Sequence, residues 1–249
     1  MFFEHQTFWL AKDREHEAAY QDACAVDAER GLAAIADGVS ASLFSGRWAK
    51  MLVEAAVKHP PRGDAATGGN SWSAWLEPLR RQWAASIDPQ ALAWHQRPKL
   101  HTGALSTLLW IEPAGGDSAG LELDCRAVGD SCLLHVRQGA LLRAFPLEAS
   151  QAFTDSPCAL GSVDRQRDHL IEVSDCRCQC QAGDWLVLCT DALAAWVLRG
   201  YEIGRPPDWP AWWQLSLAGW QDTMLDLRQR GELRYDDTTL LLLRVGAAK

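Results

Sequence analysis

Apolar positions change period along this chain, and the changes mark its elements. Residues 8–11, 23–26 and 32–36 are short apolar runs of strand length, separated by charged or turn residues. The charged stretch 12–17 is a loop. From Ser45 the period lengthens: Trp48, Leu52, Val53, Ala56 and Val57 fall on one helical face, and Pro60-Pro61 ends a helix over 45–59. A glycine-rich loop is expected over 62–70. A second helical pattern covers 72–83, with another turn or two over 89–94. The strand period then returns over 104–111, 121–128, 132–137 and 140–144, linked by a hairpin loop at 113–120 and by tight turns at Gly129-Asp130 and Gln138-Gly139, a meander. Residues 150–166 read as irregular, 168–173 and 185–189 as strands, 192–198, 208–219 and 222–230 as helices, and 240–245 as a last apolar strand. Consecutive strands with short turns, interrupted by helices, predict an α+β fold with antiparallel sheets covered by helices. No repeat or linker divides the chain, so one domain over 1–249 is expected.

Composition narrows the classes. Of 249 residues, 48% are hydrophobic, enough for a sizeable core. The net charge of −8 and the lack of a basic stripe argue against nucleic acid as a partner. No apolar run approaches the ~18 residues of a membrane span, and the N-terminal Met-Phe-Phe-Glu-His is unlike a signal peptide. A cytoplasmic protein is expected, its eight cysteines free thiols rather than a disulfide framework.

The chemistry gathers at strand ends. Asp37 follows Leu-Ala-Ala-Ile-Ala, Asp130 follows Cys-Arg-Ala-Val-Gly, Asp191 follows Trp-Leu-Val-Leu-Cys-Thr, and Asp236-Asp237 precede Thr-Thr-Leu-Leu-Leu-Leu. Asp22 opens the strand antiparallel to the one that Asp37 closes, so a hairpin makes the two neighbours. Each aspartate alone reads as a cap or turn residue. Converging, they would repel one another and raise each other's pKa values. A divalent cation reverses that repulsion, and all-oxygen ligation suits magnesium or manganese, not zinc.

These segments resemble, in order, six motifs of the metal-dependent type 2C serine/threonine phosphatases. Tyr20-Gln21-Asp22-Ala23 resembles the family's Asn-Glu-Asp-Ala, and Asp37-Gly38-Val39-Ser40-Ala41 its Asp-Gly-Val/Met-Gly-Gly. Thr102-Gly103-Ala104-Leu105-Ser106-Thr107 resembles its Ser-Gly-Ser/Ala-Thr strand. Val128-Gly129-Asp130-Ser131 reproduces Val-Gly-Asp-Ser unchanged. Thr190-Asp191-Ala192 resembles Ser/Thr-Asp-Gly, and Asp236-Asp237-Thr238-Thr239 the closing Asp-Asn/Asp-x-Thr. The matches run from about residue 16 to 245 and suit a bacterial-type minimal form.

The resemblance implies a four-layer sandwich, two stacked antiparallel β-sheets flanked by α-helices on both faces, with two manganese or magnesium ions at one end. Asp37 would bridge both ions. The Gly38 carbonyl, Asp191 and Asp236, next to Asp237, would complete the shell, and Asp22 would hold a water. Asp130, with Asp191, would match a third, weaker metal position. The implied activity is hydrolysis of phosphoserine or phosphothreonine by a water held between two metals, on a phosphoprotein substrate and opposing a serine/threonine kinase. Ser131 and Cys132 would then be structural rather than nucleophilic.

The sequence also departs from the family. Glu17 stands where an arginine often holds the substrate phosphate; Arg14, His16 or Arg47 are the candidates to replace it. Gln21 replaces a glutamate, Ala192 a glycine, and Ser40-Ala41 paired glycines. A non-catalytic pseudophosphatase, acting as a binding or regulatory module, is the alternative. Cys176, Cys178 and Cys180 would share one strand face, but structural zinc wants four ligands and no second pair is evident. The tryptophans of 72–83 have the spacing of a buried helix face. Trp209, Trp212, Trp213 and Trp220 are read as core packing over substrate contact.

Overall fold

The structure, a computed structural model, describes residues 2–61, 70–94, 96–117, 120–154, 156–164, 168 and 171–246. Twelve strands and five α-helices are formed among them. The strands are β1 (Phe3–Leu10), β2 (Ala23–Asp27), β3 (Leu32–Ala36), β4 (Leu105–Ser106), β5 (Leu108–Asp117), β6 (Gly120–Val128), β7 (Cys132–Arg137), β8 (Ala140–Phe145), β9 (Leu160–Gly161), β10 (Ser174–Cys180), β11 (Trp185–Cys189) and β12 (Thr238–Val245). The helices are α1 (Ser45–Lys58), α2 (Asn70–Ala85), α3 (Asp191–Glu202), α4 (Trp209–Trp213) and α5 (Leu217–Gln229). One sheet has the order β1-β12-β11-β7-β8 and the other β10-β6-β5-β3-β2; β4 and β9 form a small third pair. Every pairing is antiparallel.

Side-chain alternation explains how the layers stack. In β12, Leu241 and Leu243 point between the two sheets, beside Leu186, Leu188, Leu133, Ile35 and Leu109. Leu240 and Leu242 point the other way, against α3–α5. A strand buried on both faces needs no polar positions, hence the uninterrupted run of leucines. The second sheet is covered likewise: Ala34, Ala36 and Trp110 meet Trp48 and Leu52 of α1 and Trp72, Leu76 and Trp83 of α2. The tryptophan stripes are core, as expected; Trp209, Trp212 and Trp220 are buried, and Trp213 packs on Trp185.

Several expectations are corrected. The first strand starts at Phe3, not residue 8, because an edge strand with one partner tolerates the polar Glu4, His5 and Gln6. The strand expected at 168–173 lies instead at β10; residues 171–173 have no regular structure, and 169–170 fall outside the described residues. The stretch 104–111 breaks at Thr107, whose backbone turns toward Asp37. The loop expected at 113–120 is mostly strand, paired as far as Asp117 and Gly120, with 118–119 outside the described residues. Pro113 lies past Ile111, where the pairing of β5 with β3 ends, and at the register shift in its pairing with β6, a place where a strand proline is tolerated. Residues 89–94 form turns rather than a helix. The helix expected over 208–219 is two, the second opening where Ser216 Oγ accepts from Gly219 N (3.2 Å). The loop expected at 62–70 lies outside the described residues except for Asn70, which begins α2.

Register brings the acidic strand ends together. Ala23 pairs with Ala36, Leu108 with Val128, and Cys189 with both Cys132 and Leu240. The residues just beyond these pairs therefore leave both sheets at one end. Truncating Leu241→Ala, fully buried between the sheets, is expected to cost about 2–5 kcal/mol in urea denaturation. An unchanged midpoint would contradict this packing.

Candidate metal centre

At that end, Asp37 leaves β3 and Gly38 turns the chain toward α1. A Cβ at Gly38 would stand 2.6 Å from the Gln21 carbonyl oxygen and 2.8 Å from the Ser45 carbonyl carbon, so only glycine fits the close approach. Asp130 sits in the turn by which β6 of one sheet passes to β7 of the other. There Gly129 has φ +99°, a left-handed conformation that favours glycine. Asp191 is the first residue of α3, directly after β11, and Asp236-Asp237 lead into β12.

Hydroxyls lace these ends together. Thr107 Oγ1 accepts from Asp37 N (2.9 Å) and pairs with Ser131 Oγ (2.8 Å), while Ser106 Oγ donates to the Asp37 carbonyl (2.8 Å). Thr190 and Thr239 both donate to Asp22 Oδ2, at 2.9 and 2.6 Å, and Thr239 N donates back to Thr190 Oγ1 (3.1 Å). The Tyr20 hydroxyl completes this side through Thr239 Oγ1. Asp237 clamps the chain: its two oxygens accept from Lys12 N (2.6 Å) and Gln21 N (2.8 Å). Gln21 itself donates to Ser45 Oγ (2.8 Å).

Among the described residues, three buried carboxylate oxygens have no hydrogen-bond partner: Asp22 Oδ1 and both oxygens of Asp130. Burial pushes the Asp22 carboxyl up to about 7, reinforced by the charges of Asp237 and Asp236 and opposed by its two threonine hydroxyls. Asp37 is raised well above the ordinary range by burial and by Asp22, Asp130 and Asp236. Burial raises Asp130, against the pull of Arg234. Orphaned, mutually repelling carboxylate oxygens beside the Gly38 carbonyl form an all-oxygen donor set, which fits magnesium or manganese.

Of the remaining candidates, Arg47 lines a cavity of about 560 Å³ beside Tyr20, Gln21 and Phe44, with Lys99 on the same wall. Its guanidinium lies over the Phe44 ring and donates to the Ser86 carbonyl (2.7 Å). Arg14 and His16 stand exposed on a 3₁₀ turn outside that cavity, and His16 is tied to Asp13 (2.7 Å). Two basic residues escaped the sequence reading. Arg234 forms an ion pair with Asp191 Oδ2. Arg228 donates to the Asp236 carbonyl, to Thr238 Oγ1 and to the Ala11 carbonyl. Neither lies in a motif; the only signal was their closeness in sequence to Asp236.

Comparison with known proteins places this geometry. The family model described as protein phosphatase 2C matches residues 12–224. Among solved structures, the serine/threonine phosphatase PstP/Ppp of Mycobacterium tuberculosis is 18% identical, covers 99% of this chain and 100% of its own, and superposes with a TM-score of 0.59. The catalytic domain of PstP in complex with two manganese ions is 18% identical over 98% of this chain and 99% of its own, with a TM-score of 0.57. PppA, described as a key regulatory component of the T6SS in Pseudomonas aeruginosa, is 17% identical over 98% of both chains, with a TM-score of 0.58. At these identities the likeness shows a shared fold. No curated protein matches the sequence.

The raised carboxyls give the metal-free protein a definite pH response. Unfolded, Asp22 ionises near 4; folded, it keeps its proton to about 7. Across that window the folded state holds more protons, so stability falls as pH rises. At about 1.4 kcal/mol for each pH unit between the two values, Asp22 alone accounts for up to about 4 kcal/mol. Urea denaturation of chelator-treated protein from pH 4.5 to 7.5 should show the decline, and Asp22→Asn should make it shallower, leaving the share of Asp37 and Asp130. A stability that climbs over this range would be the opposite sign.

Proposed function

The chain belongs to the protein phosphatase 2C family, and on that premise we propose that it hydrolyses phosphoserine and phosphothreonine in proteins with two bound manganese or magnesium ions. The observation that carries the reading is the set of buried carboxylate oxygens on Asp22 and Asp130 that no donor among the described residues satisfies. Asp37, Asp191, Asp236 and the Gly38 carbonyl would hold the two ions; Asp130, with Asp191, would serve a third, weaker one. Divalent ions held there would supply charge that neutralises phosphoryl oxygens and would lower the pKa of water to about 7.

The chain's own residues prepare that chemistry. Ser106 and Thr107 fix the Asp37 backbone from both sides. Thr190 and Thr239 occupy one oxygen of Asp22 and leave the other to orient a water. Arg47 and Lys99 supply positive charge at the neighbouring cavity, where the substrate phosphate would enter past Gln21. Neither neighbour of Asp130 is the nucleophile. Ser131 Oγ is bonded to Thr107, and burial pushes the Cys132 thiol up to about 12.

One domain spanning the chain is supported by the continuous layers from β1 to β12. Eight free thiols support a reducing compartment such as the cytoplasm, and no helix among the described residues is long and apolar enough to cross a membrane. A serine/threonine kinase would supply the substrate.

Hydrolysis of an aryl phosphate and a phosphothreonine peptide should require manganese or magnesium and stop with chelator. Asp37→Ala and Asp191→Ala should each abolish turnover with the circular dichroism unchanged; full rates in both would refute the assignment. No turnover together with no metal binding by calorimetry would instead mark a non-catalytic binding module. Arg47→Ala should raise KM about tenfold and leave kcat little changed, the loss expected for one charge-assisted contact made equally in ground and transition states.

A further inference from the structure

A second group of ligand-type side chains lies apart from the carboxylates. β10 is the edge strand of its sheet and pairs with β6 so that Cys176 faces Cys125 directly. Cys178, two residues along, shares the same face. The three Sγ atoms all lie within 4.8 Å of one another. Cys125 and Cys178 are buried among the apolar residues between the sheets, while Cys176 is half-buried and opens the cluster to solvent. Cys125 is five residues before Asp130, roughly 15 Å along an extended strand.

Cys180 does not belong to this cluster. It lies instead with His135 and Asp184. There Asp184 is already saturated by His135 (2.8 Å), by two nitrogens of Arg137 (2.8 Å each) and by Gln181 N (2.8 Å). With the Arg137 guanidinium already seated on both of its oxygens, Asp184 has no vacancy for a metal. The spacing Cys-x-Cys-x-Cys therefore misidentifies the trio: the third sulfur comes from the neighbouring strand.

We propose that Cys125, Cys176 and Cys178 form a three-thiolate site for a thiophilic metal ion, copper(I) or zinc. With metal–sulfur bonds of about 2.3 Å, three sulfurs around one ion stand about 4 Å apart, within the observed span. Thiolates select such soft ions, whereas the carboxylate centre takes hard ones, so copper(I) does not compete for that centre, and zinc uptake at the sulfurs is the part lost in Cys176→Ser. Copper(I) is satisfied by three thiolates; zinc would take a water as its fourth ligand from the half-exposed Cys176 side. The site is partly prepared for charge: hydrogen bonds from Cys125 and Cys176 hold the Cys178 thiol down to about 4, with Arg143 adding to the effect. Binding then releases the remaining protons of Cys125 and Cys176 to solvent.

The test uses the full chain, reduced and kept anaerobic, with its carboxylate centre filled with manganese. It is titrated with zinc against a chromophoric chelator and, separately, with copper(I) against a copper(I)-specific chelator. One equivalent of either ion should bind, and X-ray absorption should show three sulfur neighbours at about 2.3 Å. Cys176→Ser, at the accessible edge, should keep the fold and the phosphatase rate and weaken binding by more than about 100-fold, beyond the 10–100-fold typical of lost supporting contacts. Cys158→Ser, at an exposed cysteine outside the cluster, should bind as the parent does. Absence of stoichiometric uptake of both ions would overturn the site, as would undiminished affinity in Cys176→Ser. So would a Cys125–Cys176 disulfide on air exposure in a protein that takes up no metal when reduced.

Discussion

Like charges gathered in a place that excludes water set the terms for this molecule. The registers of two sheets deliver Asp22, Asp37, Asp130, Asp191 and Asp236 to one end. Bringing carboxylates together there raises the pKa values of Asp22 and Asp37 and disfavours the fold at neutral pH. The opposing force is distributed: among the described residues, two apolar clusters bury β12 and β11 on both faces. Short hydroxyl side chains then hold each strand end in place without adding charge. Serine and threonine suit this work, because each hydroxyl can donate to a carboxylate or carbonyl and accept from a backbone N–H at once.

The acidic strand ends were legible because each follows or precedes an apolar run, and the hairpin logic that pairs Asp22 with Asp37 needs only the antiparallel register. The leucine run of β12 likewise announced a strand buried on both faces. Edge elements were harder. β1 and β10 each have one strand partner, so their exposed sides carry residues such as His5, Asp175 and Arg177 that dilute the apolar signal. In β10 the alternation Cys176, Cys178, Cys180 places three sulfurs on one strand face, but it does not reveal that Cys125 of the neighbouring strand joins two of them. Ion pairs such as Arg80 with Asp168 (2.6 Å) and Arg234 with Asp191 join residues remote in sequence and leave no periodic trace.

The same fold thus places two kinds of donor on different parts of one framework. Oxygen atoms collect where strands end and the chain turns, since there carboxylates from both sheets meet without being driven into the apolar layer between them. Sulfur atoms collect between the sheets, where small apolar side chains are needed for packing and cysteine serves as one.

Arg234 adds a consequence of its own. Its guanidinium holds Asp191 and offsets the charge of Asp130, so the unloaded pocket carries an internal understudy for the missing cation. On the proposed reading, an arriving ion would have to displace that tethered partner before it gained Asp191. Its apparent affinity would then be a difference between two competitors, while Asp22 and Asp37, beyond the reach of that guanidinium, keep the repulsion that raises their pKa values.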